Sequence, residues 1–114
     1  MARVQVKKPD KKLMLKPWNE TLFEMIREDG EFRRAFLWEV IRAMATGDVD
    51  AGKSLLRKYI NATVGFIELG KALGRSSKTL MQMLGPRGNP NIKNFFEIVA
   101  YLQKREGSVF EEAA

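Results

Sequence analysis

The chain contains neither histidine nor cysteine, so any chemistry must rest on lysines, arginines, carboxylates, hydroxyls and amides. Without histidine it lacks the usual general base near neutral pH and the commonest metal ligand. Without cysteine it lacks disulfides, thiolate metal sites and thiol nucleophiles. No remaining set pairs a nucleophile with a base, so no enzyme activity, metal site or cofactor is expected. The densest constellation of polar side chains is Arg75, Ser76, Ser77, Lys78 and Gln82, with Met81 among them, followed by Arg87, Asn89, Asn91 and Lys93. These groups exchange hydrogen bonds and neutralise anions rather than break bonds. An amide such as that of Gln82 can bond bidentately to adenine, Lys78 can reach guanine or a phosphate, and the serines suit either. The competing reading is a plain solvated helix face.

Two short helical segments, 66–73 and 77–84, flank Gly74-Arg75-Ser76 and read as a helix-turn-helix. The first helix must approach the second closely, and Gly70, between the core residues Leu69 and Leu73, allows it. Glycine is nevertheless a poorer helix former than alanine at such a place. Gly74 supplies the positive φ of the turn without steric cost, and Ser76 can cap the second helix. With Leu80, Met83 and Leu84 pointing inward, Ser77, Lys78, Met81 and Gln82 form the outer face, the face such a helix lays into a major groove. Arg75 departs from the pattern, because the residue after the turn glycine is usually apolar. Its charge is expected to snorkel out to a phosphate.

The surrounding chain reads as all-α, a compact bundle of five to six helices with no strand pairs and no repeat. Asn19 is expected to cap a helix over 20–28, and Asp29 or Gly30 to start a second that ends at Gly47. In that second helix Phe32, Phe36, Leu37, Val40, Ile41 and Met44 make a buried stripe. Trp38 sits off the stripe and faces either a partner or a neighbouring helix. Asp48 caps a third helix, with Leu55, Leu56, Tyr59 and Ile60 as its apolar face. The prolines and glycines of Gly85-Pro86-Arg87-Gly88-Asn89-Pro90 enforce a loop. Asn91, chiefly a cap, then starts a last helix from Ile92 to about Arg105. Ile92, Phe95, Phe96, Val99 and Leu102 are its expected core residues.

Charge divides the chain in the same way. Residues 1–16 carry +5, 17–47 carry −2, 48–107 carry +5, and the last seven carry −2. The expected organisation is a basic flexible arm (1–17), an N-terminal helical segment (18–47), a helix-turn-helix domain (48–107) and a tail (108–114). The arm's lysines suit solubility, a DNA groove or an acidic partner alike. No stretch approaches the roughly 18 apolar residues of a membrane span, and the N-terminus lacks the apolar core of a signal peptide. A cytoplasmic, nucleoid-associated protein is expected.

Residues 47–107 resemble the lambda-repressor-like (Cro/C1-type) DNA-binding domains. More narrowly, they resemble the helix-turn-helix antitoxins, or addiction-module antidote proteins, of RelE/HigB-like toxin–antitoxin systems. The resemblance rests on Gly47-Asp48-Val49-Asp50-Ala51-Gly52-Lys53, on Leu56-Arg57-Lys58-Tyr59-Ile60-Asn61-Ala62-Thr63, and on the run from Ser77 through Leu84-Gly85-Pro86-Arg87-Gly88-Asn89-Pro90. It implies a homodimer that represses its own operon by binding operator DNA and neutralises a cognate toxin by binding it. It also implies phosphate contacts from the loop and last helix, by position Arg87, Asn89, Asn91 and Lys93. Glu20, Glu24, Glu28, Asp29 and Glu31 form either a solvated face or a surface for a basic toxin. A free-standing regulator and a protein-interaction module without DNA binding are the alternatives.

Overall fold

Four short polar side chains set where the helices begin. Asp29 accepts a bond from the Phe32 amide at 3.1 Å, Asp48 from Ala51 at 3.2 Å, Ser76 from Thr79 at 3.0 Å and Asn91 from Asn94 at 2.7 Å. Each satisfies an amide that the helix itself leaves unpaired, a contribution of about 1 kcal/mol apiece. The computed structural model describes residues 18–107, so the expected basic arm (1–17) and tail (108–114) lie outside the described residues. Six helices result among the described residues: α1 (Trp18–Glu28), α2 (Gly30–Ala45), α3 (Val49–Ala62), α4 (Phe66–Leu73), α5 (Ser77–Met83) and α6 (Ile92–Arg105). There is no strand among the described residues, and the all-α bundle expected from the sequence is the fold. Asn19 does not precede the first helix as expected; that helix already begins at Trp18, which puts Asn19 in its first turn.

The core is one continuous cluster to which every helix contributes. It takes Leu22 and Ile26 from α1, Phe36, Leu37 and Val40 from α2, and Leu56, Tyr59 and Ile60 from α3. Phe66 and Leu69 of α4, Leu80 of α5, and Leu84 just beyond α5 complete it with α6. The most extensive helix pairing is α2 against α3, across the Gly47 turn. The charge break at Gly47 is therefore a turn between packed helices, not a gap in the core. No helix among the described residues is long and apolar enough to cross a membrane.

Helix α6 buries Phe95, Val99 and Leu102 as expected, but not the whole of the expected set. Phe95, Ile98, Val99 and Leu102 are buried, at the i, i+3, i+4, i+7 spacing of a single stripe. Ile92 and Phe96, expected in the core, are 78% and 49% exposed. Ile92 opens the helix, and with Phe96, Ile41, Met44, Ala45 and Pro90 it borders an open cleft of about 300 Å³ rather than filling the core. Phe96 instead sets its ring edge-on to Phe95, 5.0 Å between centroids.

A part-buried polar knot joins the end of α1, α2 and α3 to the residue that follows α6. The Glu106 carboxylate accepts from Arg33 Nε and from the Tyr59 hydroxyl, both at 2.6 Å. The Arg33 guanidinium also donates to the carbonyls of Ile26 and Arg27, both at 3.0 Å, where α1 runs out of internal donors. Burial above all, and then the bond to Glu106, hold the Tyr59 phenol well above its ordinary range. The folded state thus prefers the neutral phenol, so this contribution is complete below about pH 10 and is lost as pH rises beyond it.

Two predictions follow from this core and knot. Tyr59→Phe should lower unfolding free energy by about 1–2 kcal/mol at pH 7, and the gap to wild type should close between pH 10 and 11.5 in guanidinium titrations. A gap that stays constant through that range would deny the coupling. A fragment of residues 47–114, deprived of α1 and α2, should show no cooperative melt by circular dichroism. A sharp transition would mean that α3–α6 are self-sufficient.

Candidate nucleic-acid interface

The hairpin of α4 and α5 has the close approach that the sequence suggested. A Cβ built on Gly70 would stand 2.5 Å from the Arg75 carbonyl oxygen and 3.3 Å from the Ser77 amide nitrogen. Glycine is thus required, and its low helix propensity is the cost of bringing the two helices together. Gly74 is left-handed at φ 70°, and the Arg75 amide bonds back to the Gly70 carbonyl at 3.0 Å to close α4. Ser76 then caps α5, and its hydroxyl also donates to Thr79 Oγ1 at 2.8 Å. Its hydroxyl serves the fold.

From this frame α5 buries Leu80 and turns Lys78, Met81 and Gln82 outward to solvent. Ser77, its first residue, is half-buried beside the turn. Arg87 and Asn89 are exposed on the loop that follows, and Asn91 and Lys93 at the start of α6. Between α5 and that loop lies an open cleft of about 780 Å³, lined by Thr79, Met81, Gln82, Met83 and residues 85–88. Asn91 is spent as a cap, as expected for its chief role.

Arg75 corrects an expectation. Its guanidinium does not snorkel outward; it donates to Asn94 Oδ1 at 2.8 Å and to Glu97 Oε1 at 3.0 Å. The arginine ties the turn of the hairpin to α6 and has its charge offset by Glu97. The position is filled by an ion pair where an apolar contact was the rule. Lys78, Arg87 and Lys93, by contrast, are exposed, and none forms an ion pair among the described residues.

The residues that place this loop were not singled out from the sequence. Lys53 of α3 is only 4% exposed, and its ammonium donates to the carbonyls of Gly85 at 3.0 Å and Gly88 at 2.6 Å. The exposed Asp50 carboxylate stands 3.7 Å away. One turn further along α3, Arg57 donates to the Leu84 carbonyl. Two cations from α3 therefore bond the Leu84 and Gly88 carbonyls and share that of Gly85 with the Gly88 amide, at the negative end of the helix dipole. Gly88 completes the arrangement, because a Cβ there would fall 2.0 Å from the Gln82 carbonyl oxygen and 2.3 Å from that of Met83. The loop folds back onto the end of α5 so tightly that no side chain fits. A signal was present in the sequence. Lys53, Leu56 and Ile60 share one helical face, and a lysine in line with two core residues must find buried acceptors.

Comparison of the chain with protein-family models, with curated proteins and with solved structures gives no match in any of the three.

Lys53→Met keeps the stem but leaves the Gly88 carbonyl without a donor, while the Gly85 carbonyl keeps only the Gly88 amide. It should cost about 1–3 kcal/mol in chemical denaturation, the penalty of one orphaned acceptor. A cost under about 0.5 kcal/mol would show that water replaces the ammonium and that the clamp is dispensable.

Proposed function

We propose that this chain is a sequence-specific DNA-binding protein that lays α5 into the major groove as a homodimer. It acts as the antitoxin of a RelE/HigB-like pair, repressing its own operon and neutralising the toxin by direct binding. The observation that carries the DNA reading is the outward face of α5. Lys78, Met81 and Gln82 stand exposed there, beside the exposed cations Arg87 and Lys93, which form no ion pair among the described residues. Gln82 is suited to an adenine edge and Lys78 to guanine or phosphate. Arg87, Asn89 and Lys93 fit phosphates, and the half-buried Ser77 completes the near end. Ser76, Asn91 and Arg75 support this surface from within the fold. The toxin half of the proposal rests on the resemblance of residues 47–107 to antitoxins, and on the exposed acids Glu20, Glu28, Asp29 and Glu31 as a surface for a basic toxin.

Salt dependence tests the DNA reading most directly. With Lys78, Arg87 and Lys93 each neutralising a phosphate, a dimer meets about six, and the slope of log affinity against log salt should be near −5. A bound monomer would give a slope between about −2 and −3. Gln82→Ala should weaken binding to the preferred duplex by about 1–3 kcal/mol while barely changing affinity for random DNA. Absence of any shift on DNA at low salt would refute the reading and leave a protein-interaction module.

A further inference from the structure

Met81 is the one large apolar side chain on the outer face of α5, 47% exposed next to Gln82 and a turn from Lys78. A surface devoted only to hydrogen bonding and charge has no use for it. It borders the cleft of about 780 Å³ between α5 and the loop, whose far wall carries Pro86 and Arg87. That wall is held in place, since the Gly85 and Gly88 carbonyls are bonded by the buried Lys53. No acidic residue lines the cleft, and Arg87 brings a positive charge to its edge. A polyanion with an apolar projection is complementary to such a cleft. In the major groove the only apolar group on any base edge is the 5-methyl of thymine.

We propose that this cleft receives a thymine, with its 5-methyl against Met81 and its backbone phosphate at Arg87, so that Met81 is a specificity-determining residue. The inference rests on the DNA-binding reading and adds a second kind of recognition to it. Gln82 reads hydrogen-bonding groups, which leave thymine and uracil indistinguishable. Met81 reads the methyl that differs between them. A thioether is flexible and polarizable enough to settle against a methyl without demanding one geometry.

The test uses the full chain and a duplex selected by it from a random pool. Each thymine of that duplex is replaced in turn by deoxyuridine, which removes the methyl and nothing else. Wild type should lose about fourfold in affinity at one position per half-site, the worth of one methyl-sized group kept from water. Met81→Ala should bind the parent duplex more weakly and bind the thymine and uracil forms equally. Met81→Gln keeps the length without the apolar end and should behave the same way; it serves as the second variant if alanine changes the melting temperature. If no position responds to uracil, or if both variants respond as wild type does, the proposal is overturned while specific binding stands. If the pool yields no preferred duplex at all, the DNA reading fails and takes the proposal with it.

Discussion

The bond network of the Lys53 ammonium is the constraint on which the rest of the candidate interface depends. A lysine this deeply buried is tolerated only if acceptors surround it, and here the acceptors are carbonyls of the very loop that must be positioned. The geometry runs both ways. The loop satisfies the charge, and the charge dictates where the loop turns. Arg57 extends the arrangement to the last carbonyl of the α5 region, and glycine at position 88 lets the loop backbone press against the helix end. The edge of the cleft, the bearing of Arg87 and the approach to Asn91 all descend from this contact.

Helix α3 thereby becomes the axle of the molecule. Lys53 and, a turn later, Arg57 reach forward to the end of α5; nearer its C-terminus, Tyr59 reaches to Glu106, which Arg33 of α2 also holds. Most of the charge inside this frame is consumed by it. Lys53, Arg57, Arg33 and Arg75 all bond within the fold, and the net charge of +6 therefore says less about the surface than which cations remain outside such bonds. On the hairpin, its loop and the start of α6 those are Lys78, Arg87 and Lys93. A basic composition becomes a basic surface only after the internal acceptors have taken their share.

How much of this was legible in the sequence follows from how local each cause is. Ser76 and Asn91 announce helix starts because a cap bonds an amide three residues away. Gly70 and Gly74 announce the hairpin because backbone sterics act within a few residues. The outward set on α5 followed from spacing around Leu80 and Leu84. What was missed depends on partners distant along the chain. Arg75 turns to residues 19 and 22 positions later, and Lys53 to carbonyls 32 and 35 positions later. Ile92 and Phe96 were placed in the core because helical periodicity reports that a helix has an apolar side, but not how much of its first turn another helix covers. In α6 Phe95, Val99 and Leu102 hold the expected stripe, and Ile98 joins it in place of Ile92 and Phe96.

The knot at Glu106 also bears on how the protein comes into being. Arg33 and Glu106 lie 73 positions apart, so the carboxylate that secures the N-terminal helices is among the last described residues to leave a ribosome. Until then α1 ends in carbonyls served by an arginine with no counter-ion, and the Tyr59 hydroxyl has no acceptor. A nascent chain that has not yet released Glu106 lacks the carboxylate that Arg33 of α2 and Tyr59 of α3 share. The link between α2 and α3 through Glu106 is thus closed late in synthesis, after both helices that it joins have been made.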